Sequence, residues 1–490
     1  MNMFCVKSLL LAAAILPAAV HAGPDRPDRQ MRDSLIQVGK ELEVRVPDRC
    51  VAILDIRMPR TAIGSGHTLC KVDRHPALDT LLTPAEEDEI RAEIDARCDA
   101  LGKDSLLTSD LFYVMRPYFD RLHYEDPHYR ISMPPFADPT VYTKRSDLRR
   151  NSRKLCMPAF GLLQINDTLL IDRSLDPQFR RGDRVTAING VSAAEYLKYC
   201  YADRYMMPVS LMGRRYYGQA VDKFRIDLVR GGRPVTIETA GYPGERTLFD
   251  LDIAESLDNN IRTYPDAACG YIAIPEFFFN NSRVIRIVRK SILGFKKQGF
   301  TDVVLDLRRN PGGNGHAFDE LLSIFIDKPV VEYCTGQWIK ASKAAMEDYD
   351  FLTDSMLGRV VPLSDKEIVR SFATHPKMYV GGMRYYVLIS RDTGSIAASF
   401  VNMLQYHGAA QLVGEPLLHN ALKYGETLDG GWILPSNLYQ SAISMIRIDE
   451  CTRAVDGVVQ PDIPIPYVAA DYLSGRDGML DRLLEIIRER

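Results

Sequence analysis

The stretch Arg391-Asp392-Thr393-Gly394-Ser395-Ile396-Ala397-Ala398-Ser399 follows an apolar run, Tyr385 to Ile389, and opens a helix-like run of small and apolar residues. A serine at such a strand-to-helix turn stands at the carboxyl edge of a sheet. Helical N–H groups and the positive end of the dipole there favour a developing oxyanion. Gly394 allows the tight turn, and Ala397 and Ala398 let the helix pack close. The pattern is not the G-x-S-x-G elbow of α/β-hydrolases. Taken alone it describes a helix-capping serine equally well. A second stretch, Leu305-Asp306-Leu307-Arg308-Arg309-Asn310-Pro311-Gly312-Gly313-Asn314-Gly315, reads as a buried strand ending in a glycine-rich loop. Its unobstructed amides could bind a phosphate or an oxyanion. No Lys-Ser or Lys-Thr follows, which sets a nucleotide P-loop aside.

Elements that would hold these two turns can be read around them. Tyr271 to Ile274 is a short strand. Ser282 can cap a helix carrying Val284, Ile287, Val288 and Leu293, closed by Gly299. Asp302 to Leu307 is the next strand, followed after the loop by a helix over 316–327. Tyr385 to Ile389, a helix over 395–406 and Gln411-Leu412-Val413 complete the series. Strands alternating with helices argue for βαβ units and a mostly parallel sheet, an α/β fold class. Trp432 to Leu434 and Ile443 to Ile448 read as antiparallel or peripheral strands.

A β module precedes this core. Leu162 to Ile171 alternates like one strand, Asn189-Gly190 is a turn between apolar runs, and Phe224 to Val229 and Val235 to Ile237 pair across Gly231-Gly232. The string Gly182-Asp183-Arg184-Val185-Thr186-Ala187-Ile188-Asn189-Gly190 resembles the PDZ signature, which implies an extended-peptide binder. A β module serving only as a spacer is the plainer reading. Before it, Thr83 and Glu86 form a capping box, Pro84 takes the first helical position and Gly102 ends the helix. Ile90, Ile94, Cys98 and Leu101 make one buried stripe. Ser109 to Phe119 continues as helix. The expected organisation is a leader (1–22), a mainly helical N-terminal domain (31–150), the PDZ-like domain (155–245) and the core (265–488).

The leader reads as a secretory signal: Lys7, an apolar run from Leu9 to Val20, and Val20-His21-Ala22 before polar Gly23-Pro24-Asp25. Cleavage after Ala22 would send the chain to the periplasm or outside the cell. No other stretch is long and apolar enough to span a membrane. Nine cysteines include no C-x-x-C pair, so pairing stays open between disulfides and buried thiols. Over 490 residues, 61 basic side chains against 64 acidic ones give a net charge of −3. That balance argues against nucleic acid as a partner.

Together the two turns carry a resemblance. Asp306-Leu307-Arg308 with Asn310-Pro311-Gly312-Gly313, then Asp392-Thr393-Gly394-Ser395, then Leu412-Val413-Gly414-Glu415-Pro416 and Gly457-Val458-Val459-Gln460-Pro461-Asp462-Ile463 resemble the serine peptidases of family S41, the C-terminal processing and tricorn-like family. The resemblance covers 265–488 and implies a ClpP/crotonase-like core with a peptide or protein substrate. It makes Ser395 the nucleophile and the amides of Ile396 and Gly312 or Gly313 the oxyanion hole. It implies no metal and no organic cofactor. His123, Glu125, Asp126 and His128 lack H-E-x-x-H spacing. C-terminal processing peptidases place a general-base lysine where Asn420 stands here, and Lys423 lies three residues late. The tricorn-like branch uses a histidine from before the core. Tyr124-Glu125-Asp126-Pro127-His128-Tyr129 resembles its Asp-x-His segment, which makes His128 the expected base. His316 and His419 are alternative bases. Asp456 and Glu450 are the candidates for the supporting acid. Without the lysine, an inactive peptide binder or a small-molecule carrier on the same fold are the rival readings.

Overall fold

The computed structural model describes residues 44–45, 83–102, 105–106, 108–128, 131–132, 156–197, 205–206, 223–243, 260–277, 281–313, 315, 318–342, 345–366, 368–427, 432–433, 439–440 and 444–490. The leader with its cleavage point, and His316, lie outside these residues.

Helix α1 (Pro84–Leu101) starts as its sequence dictates. The Thr83 hydroxyl accepts from Glu86 N–H, and the Glu86 carboxylate accepts from Thr83 N–H at 2.8 Å. Gly102 closes it at φ 56°. Ile94 and Cys98 are buried, with Ile90 and Leu101 half-buried along the same stripe. Helix α2 (Thr108–Glu125) runs through Pro117 and packs beside α1, where Arg97 donates to Tyr113 O at 2.8 Å.

The β module is an antiparallel sheet of β1 (Phe160–Ile165), β2 (Thr168–Ser174), β3 (Arg184–Ile188), β4 (Lys223–Arg230) and β5 (Arg233–Ala240), in order β5-β4-β3-β2-β1. Tyr205–Met206 pairs on β1 and Val191–Ser192 on β3. The alternation over 162–171 suggested one strand; the chain instead reverses at Asn166, which takes φ 52°. Asparagine tolerates that region and makes the turn without glycine. Asn189 and Gly190, at φ 49° and 77°, form the expected turn between β3 and Val191. Both faces of β1 and β2 are covered. Leu162, Leu169 and Ile171 face Phe224 and Ile226 inside the module, whereas Leu163, Ile165 and Leu170 join the next layer's core.

That layer is a six-stranded sheet built from β6 (Ile261–Tyr264), β7 (Cys269–Ala273), β8 (Asp302–Asp306), β10 (Arg384–Ile389), β11 (Gln411–Gly414) and β14 (Ile463–Pro464). Their spatial order is β6-β7-β8-β10-β11-β14. All neighbours are parallel except the edge pair β6–β7. One face carries α3 (Asn281–Lys297) and α5 (Ile396–Tyr406) on Ile272, Val303, Leu305, Val387 and Leu412. The other packs Tyr271, Val304, Tyr386 and Leu388 against α7 (Gly478–Arg488) and the outer face of β1 and β2. Burial of each large apolar side chain here contributes about 1.5–3 kcal/mol. Of the helix expected over 316–327, the described part is regular from Phe318 to Leu322, as α4. Tighter turns follow, from Ile324 N–H to Leu321 O and Phe325 N–H to Leu322 O, where the Ser323 hydroxyl bonds back to Asp319 O at 2.7 Å.

A second, antiparallel sheet places Val360–Pro362, β9 (Cys334–Lys340), β13 (Ser444–Glu450) and β12 (Tyr424–Thr427) in that order. Trp432–Ile433 forms a small sheet with Tyr439–Gln440 and Ile131–Ser132. Among the described residues, Cys269, Cys334 and Cys451 are free thiols.

Candidate active site

Three adjacent parallel strands, β8, β10 and β11, send the chain out of one sheet edge. Ligands of open α/β sheets bind outside such carboxyl ends. From β10 the chain turns through 390–395 into α5, from β8 it enters the loop 307–313, and from β11 it runs to 415–420. Ser395 lies between the other two segments. Side chains and backbone stitch the first two together: the Thr393 hydroxyl donates to Leu307 O at 2.9 Å, the Ser390 hydroxyl to Arg308 O at 2.6 Å, and Gly394 N–H to Asn310 O at 3.0 Å.

Ser395 precedes α5 at φ 51° and ψ −131°, and its side chain makes no cap. Positive φ at a non-glycine residue is strained by roughly 1–3 kcal/mol. The hydroxyl is half-buried and has no hydrogen-bond partner among the described residues. It is not serving as an ordinary N-cap, which would bond to the second or third helical amide. Ile396 N–H also lacks a partner among them, as expected at the first turn of a helix.

Gly312, at φ 109°, lies against the serine. A Cβ there would stand 2.6 Å from Ser395 Cβ and 2.8 Å from Gly394 O. Gly312 N–H donates to Asn310 Oδ1 at 2.9 Å, so that amide is already used. Gly313, at φ 135°, keeps its N–H without an acceptor among the described residues. The amides of Ile396, next to the serine, and of Gly313, one residue past Gly312, thus have no acceptor among the described residues. Gly312→Ala is expected to distort this loop, lowering kcat about 10²–10³-fold, the scale of losing one oxyanion donor. Strain should also destabilise the fold by roughly 1–3 kcal/mol. Steady-state kinetics with a thermal melt test this, and wild-type kcat would contradict it.

His128 follows the end of α2. Asp126 is fully buried, and its Oδ1 accepts from His128 N–H at 2.9 Å and from His128 Nδ1 at 3.0 Å. The Ser444 hydroxyl also lies 3.3 Å from Nδ1. A carboxylate can only accept, so Nδ1 carries the proton and Nε2 of the neutral ring is the basic nitrogen. No hydrogen bond joins Ser395 to His128. Asn420 holds this segment in place: its Nδ2 donates to Glu125 O at 3.2 Å and to Glu125 Oε2 at 3.0 Å. The His419 ring stacks on Tyr124 with centroids 4.2 Å apart. Asn420 therefore docks the segment that ends in His128. Lys423 Nζ lies over the Tyr424 ring at 5.4 Å.

Asp456 and Glu450 occupy contrasting places. Asp456 and Gly457, at φ 49° and 74°, are the centre of an exposed two-residue turn closed by Val455 and Val458. Asp456 is thus explained by turn chemistry. Glu450 is half-buried, one to two helical turns along α5 from Ser395. The Ser399 hydroxyl donates to it at 2.5 Å, Asn402 Nδ2 at 3.0 Å and the Tyr333 hydroxyl at 3.2 Å. Burial pushes its carboxyl up to about 7 despite these donors. A carboxyl raised above its unfolded value of about 4.3 contributes stability while protonated. That contribution is lost as pH rises through about 7. Glu450→Gln should therefore gain Tm relative to wild type as pH rises from roughly 5 to 8. Thermal melts across that range check it, and a pH-independent difference would contradict it.

Residues 268–430 match the sequence model of Peptidase family S41. Over that segment the chain is similar to this family. It is 30% identical over 146 residues to the carboxyl-terminal-processing protease of Picosynechococcus sp. (strain ATCC 27264 / PCC 7002 / PR-6), a match spanning 30% of this chain and only 28% of that relative. The fold is similar to mature CPAF, with a TM-score of 0.52 and 13% identity over 94% of this chain and 97% of that one. Mature CPAF complexed with lactacystin gives 0.51, with 14% identity over 94% and 98%. The S41 segment contains the Ser395 turn, the glycine loop and Asn420, whereas His128, Glu450 and Asp456 lie outside it.

Sequence reading did not assign Asn310, whose side chain fixes Gly312 and also donates to Ile274 O at 3.0 Å. Nor did it assign Asp126 as the partner of His128. The signal for the second was the two-residue spacing, because an aspartate readily accepts from the backbone two residues on.

Proposed function

We propose that this protein is an exported serine peptidase that cleaves peptide bonds through Ser395, with His128 as its base. Ser395 Oγ attacks the peptide carbonyl. His128 Nε2 takes the hydroxyl proton and returns it to the leaving amine, and Asp126 holds the ring in the required tautomer. The amides of Ile396 and Gly313 donate to the tetrahedral oxyanion, each worth about 3–4 kcal/mol when removed. Gly312 serves by leaving room beside the serine. The core is of the ClpP/crotonase type, with the PDZ-like module packed alongside it through β1 and β2. Glu450 acts through α5 rather than on the imidazole.

The observation that carries this reading is the serine itself, strained, uncapped and packed against Gly312 at the start of α5. The reading requires His128 to reach Ser395 when substrate binds, since catalytic contacts often tighten only then. Peptide-library digestion by wild type and Ser395→Ala tests the proposal. Cleavage by wild type alone is expected. Equal cleavage by both would move the site elsewhere, and cleavage by neither would favour a peptide binder.

Export rests on the leader, Lys7 with Leu9 to Val20 and Ala22. No helix among the described residues is long and apolar enough to cross a membrane. N-terminal sequencing of the processed protein should begin at Gly23. An intact Met1 in the cytoplasmic fraction would contradict it.

A further inference from the structure

The backbone of 307–310 is bonded to the nucleophile turn, while the side chains of Asp306, Arg308 and Arg309 bond to other segments. Arg308 is 4% exposed. Its Nη1 donates to Asp477 Oδ1 at 2.9 Å and its Nη2 to Asp477 Oδ2 at 2.7 Å, a two-pronged contact. Its Nε donates to Asp306 Oδ1 at 3.0 Å, and the Tyr271 hydroxyl donates to Asp306 Oδ2 at 2.7 Å. Asp477 caps α7, accepting from Leu480 N–H at 3.2 Å, and also accepts from the Tyr472 hydroxyl at 2.9 Å.

The β module reaches the same cluster. Arg181 lies 3.9 Å from Asp477 and 3.4 Å from Asp172 of β2, and Asp172 also pairs with Arg309. Next to Arg181, Gly182 sits so close to α6 (Ala469–Leu473) and the turn after it that a Cβ would stand 2.5 Å from Tyr472 O. Three arginines and three aspartates, contributed by the core strand, the C-terminal segment and the β module, balance one another in one place. An exposed ion pair contributes little, but a buried guanidinium cannot shed its charge and must keep its partners.

We propose that this ionic cluster positions the oxyanion loop, with Asp477 as the positioning residue that fixes Arg308 and so the path of Asn310 to Gly313. The proposal rests on the serine-peptidase reading for its catalytic consequence, though not for its structural one. Only Asn310 and Pro311 separate Arg309 from Gly312. A tilt at Arg308 would therefore be passed to the open amide of Gly313. The β module and the C-terminal helix would then act on the reaction without touching substrate.

Asp477→Asn is the test. It keeps a helix-capping oxygen and leaves Arg308 paired with Asp306. Backbone hydrogen exchange should accelerate at least tenfold at 307–313 in the variant, with exchange in α1 and α2 unchanged. In the active enzyme kcat should fall about 10²–10³-fold with KM nearly constant, because the lost interaction is made only in the transition state. Binding of a peptide aldehyde, whose adduct with Ser395 presents an oxyanion, should weaken by the same factor. Unchanged exchange at 307–313 overturns the proposal, as does a wild-type kcat. If wild type cleaves nothing, the peptidase reading fails and the exchange result still decides this one. Tyr472→Phe is the second variant, should the first not fold. It removes one brace on Asp477 and should give a smaller change of the same kind, and exchange at 307–313 identical to wild type would overturn the proposal.

Discussion

Ser395→Ala should lower kcat by about 10⁶-fold, the scale seen when a catalytic serine is removed from a hydrolytic unit. Alanine offers no atom to attack the carbonyl. The fold should survive, because the hydroxyl makes no hydrogen bond among the described residues and alanine meets the same strain at φ 51°. Tm should stay close to wild type. Lys423→Ala is the matched control, since its ammonium lies on the neighbouring Tyr424 ring. It should keep most activity. Selective loss in Lys423→Ala would instead revive a displaced Ser-Lys pair.

His128→Ala should lose nearly as much as Ser395→Ala, and the double variant should lose little more, because members of one catalytic unit are not additive. Asp126→Ala should lower kcat by about 10³–10⁴-fold through the wrong tautomer, without removing the base. A His128→Ala enzyme with wild-type kcat would remove the base assignment and leave the nucleophile untouched.

The sheet was readable because its strands are buried on both faces. Asp302 to Leu307 and Tyr385 to Ile389 are nearly continuous apolar runs between glycine-marked turns, and the parallel pairing of β8 with β10 follows from the helices between them. Asn166 shows where such reading stops. Its side chain permits a left-handed turn that an alternating pattern conceals, so one expected strand became two. At the site, local signals located Ser395, Gly312 and Gly313. What could not be read locally was how each group is satisfied. Asn310 takes the Gly312 amide, leaving Gly313 open, through a contact two residues away that competes with no motif. Asp456 carried its aspartate for turn geometry, and Glu450 faces the side chains of α5. The first is local, but the second depends on tertiary packing, as does the docking of Glu125 on Asn420 across 295 residues. The Arg308 cluster is likewise invisible in sequence, because its six charges come from three separate segments.

The central claim is that Ser395 is an activated nucleophile, and the most direct measurement is covalent labelling with a peptidyl fluorophosphonate, followed by mass mapping of the adduct. The expected result is a single adduct on Ser395, formed by wild type, slowed strongly in His128→Ala and absent in Ser395→Ala. An active wild-type enzyme whose adduct maps to another residue, or whose Ser395 stays unlabelled while peptide cleavage is blocked, would contradict the account.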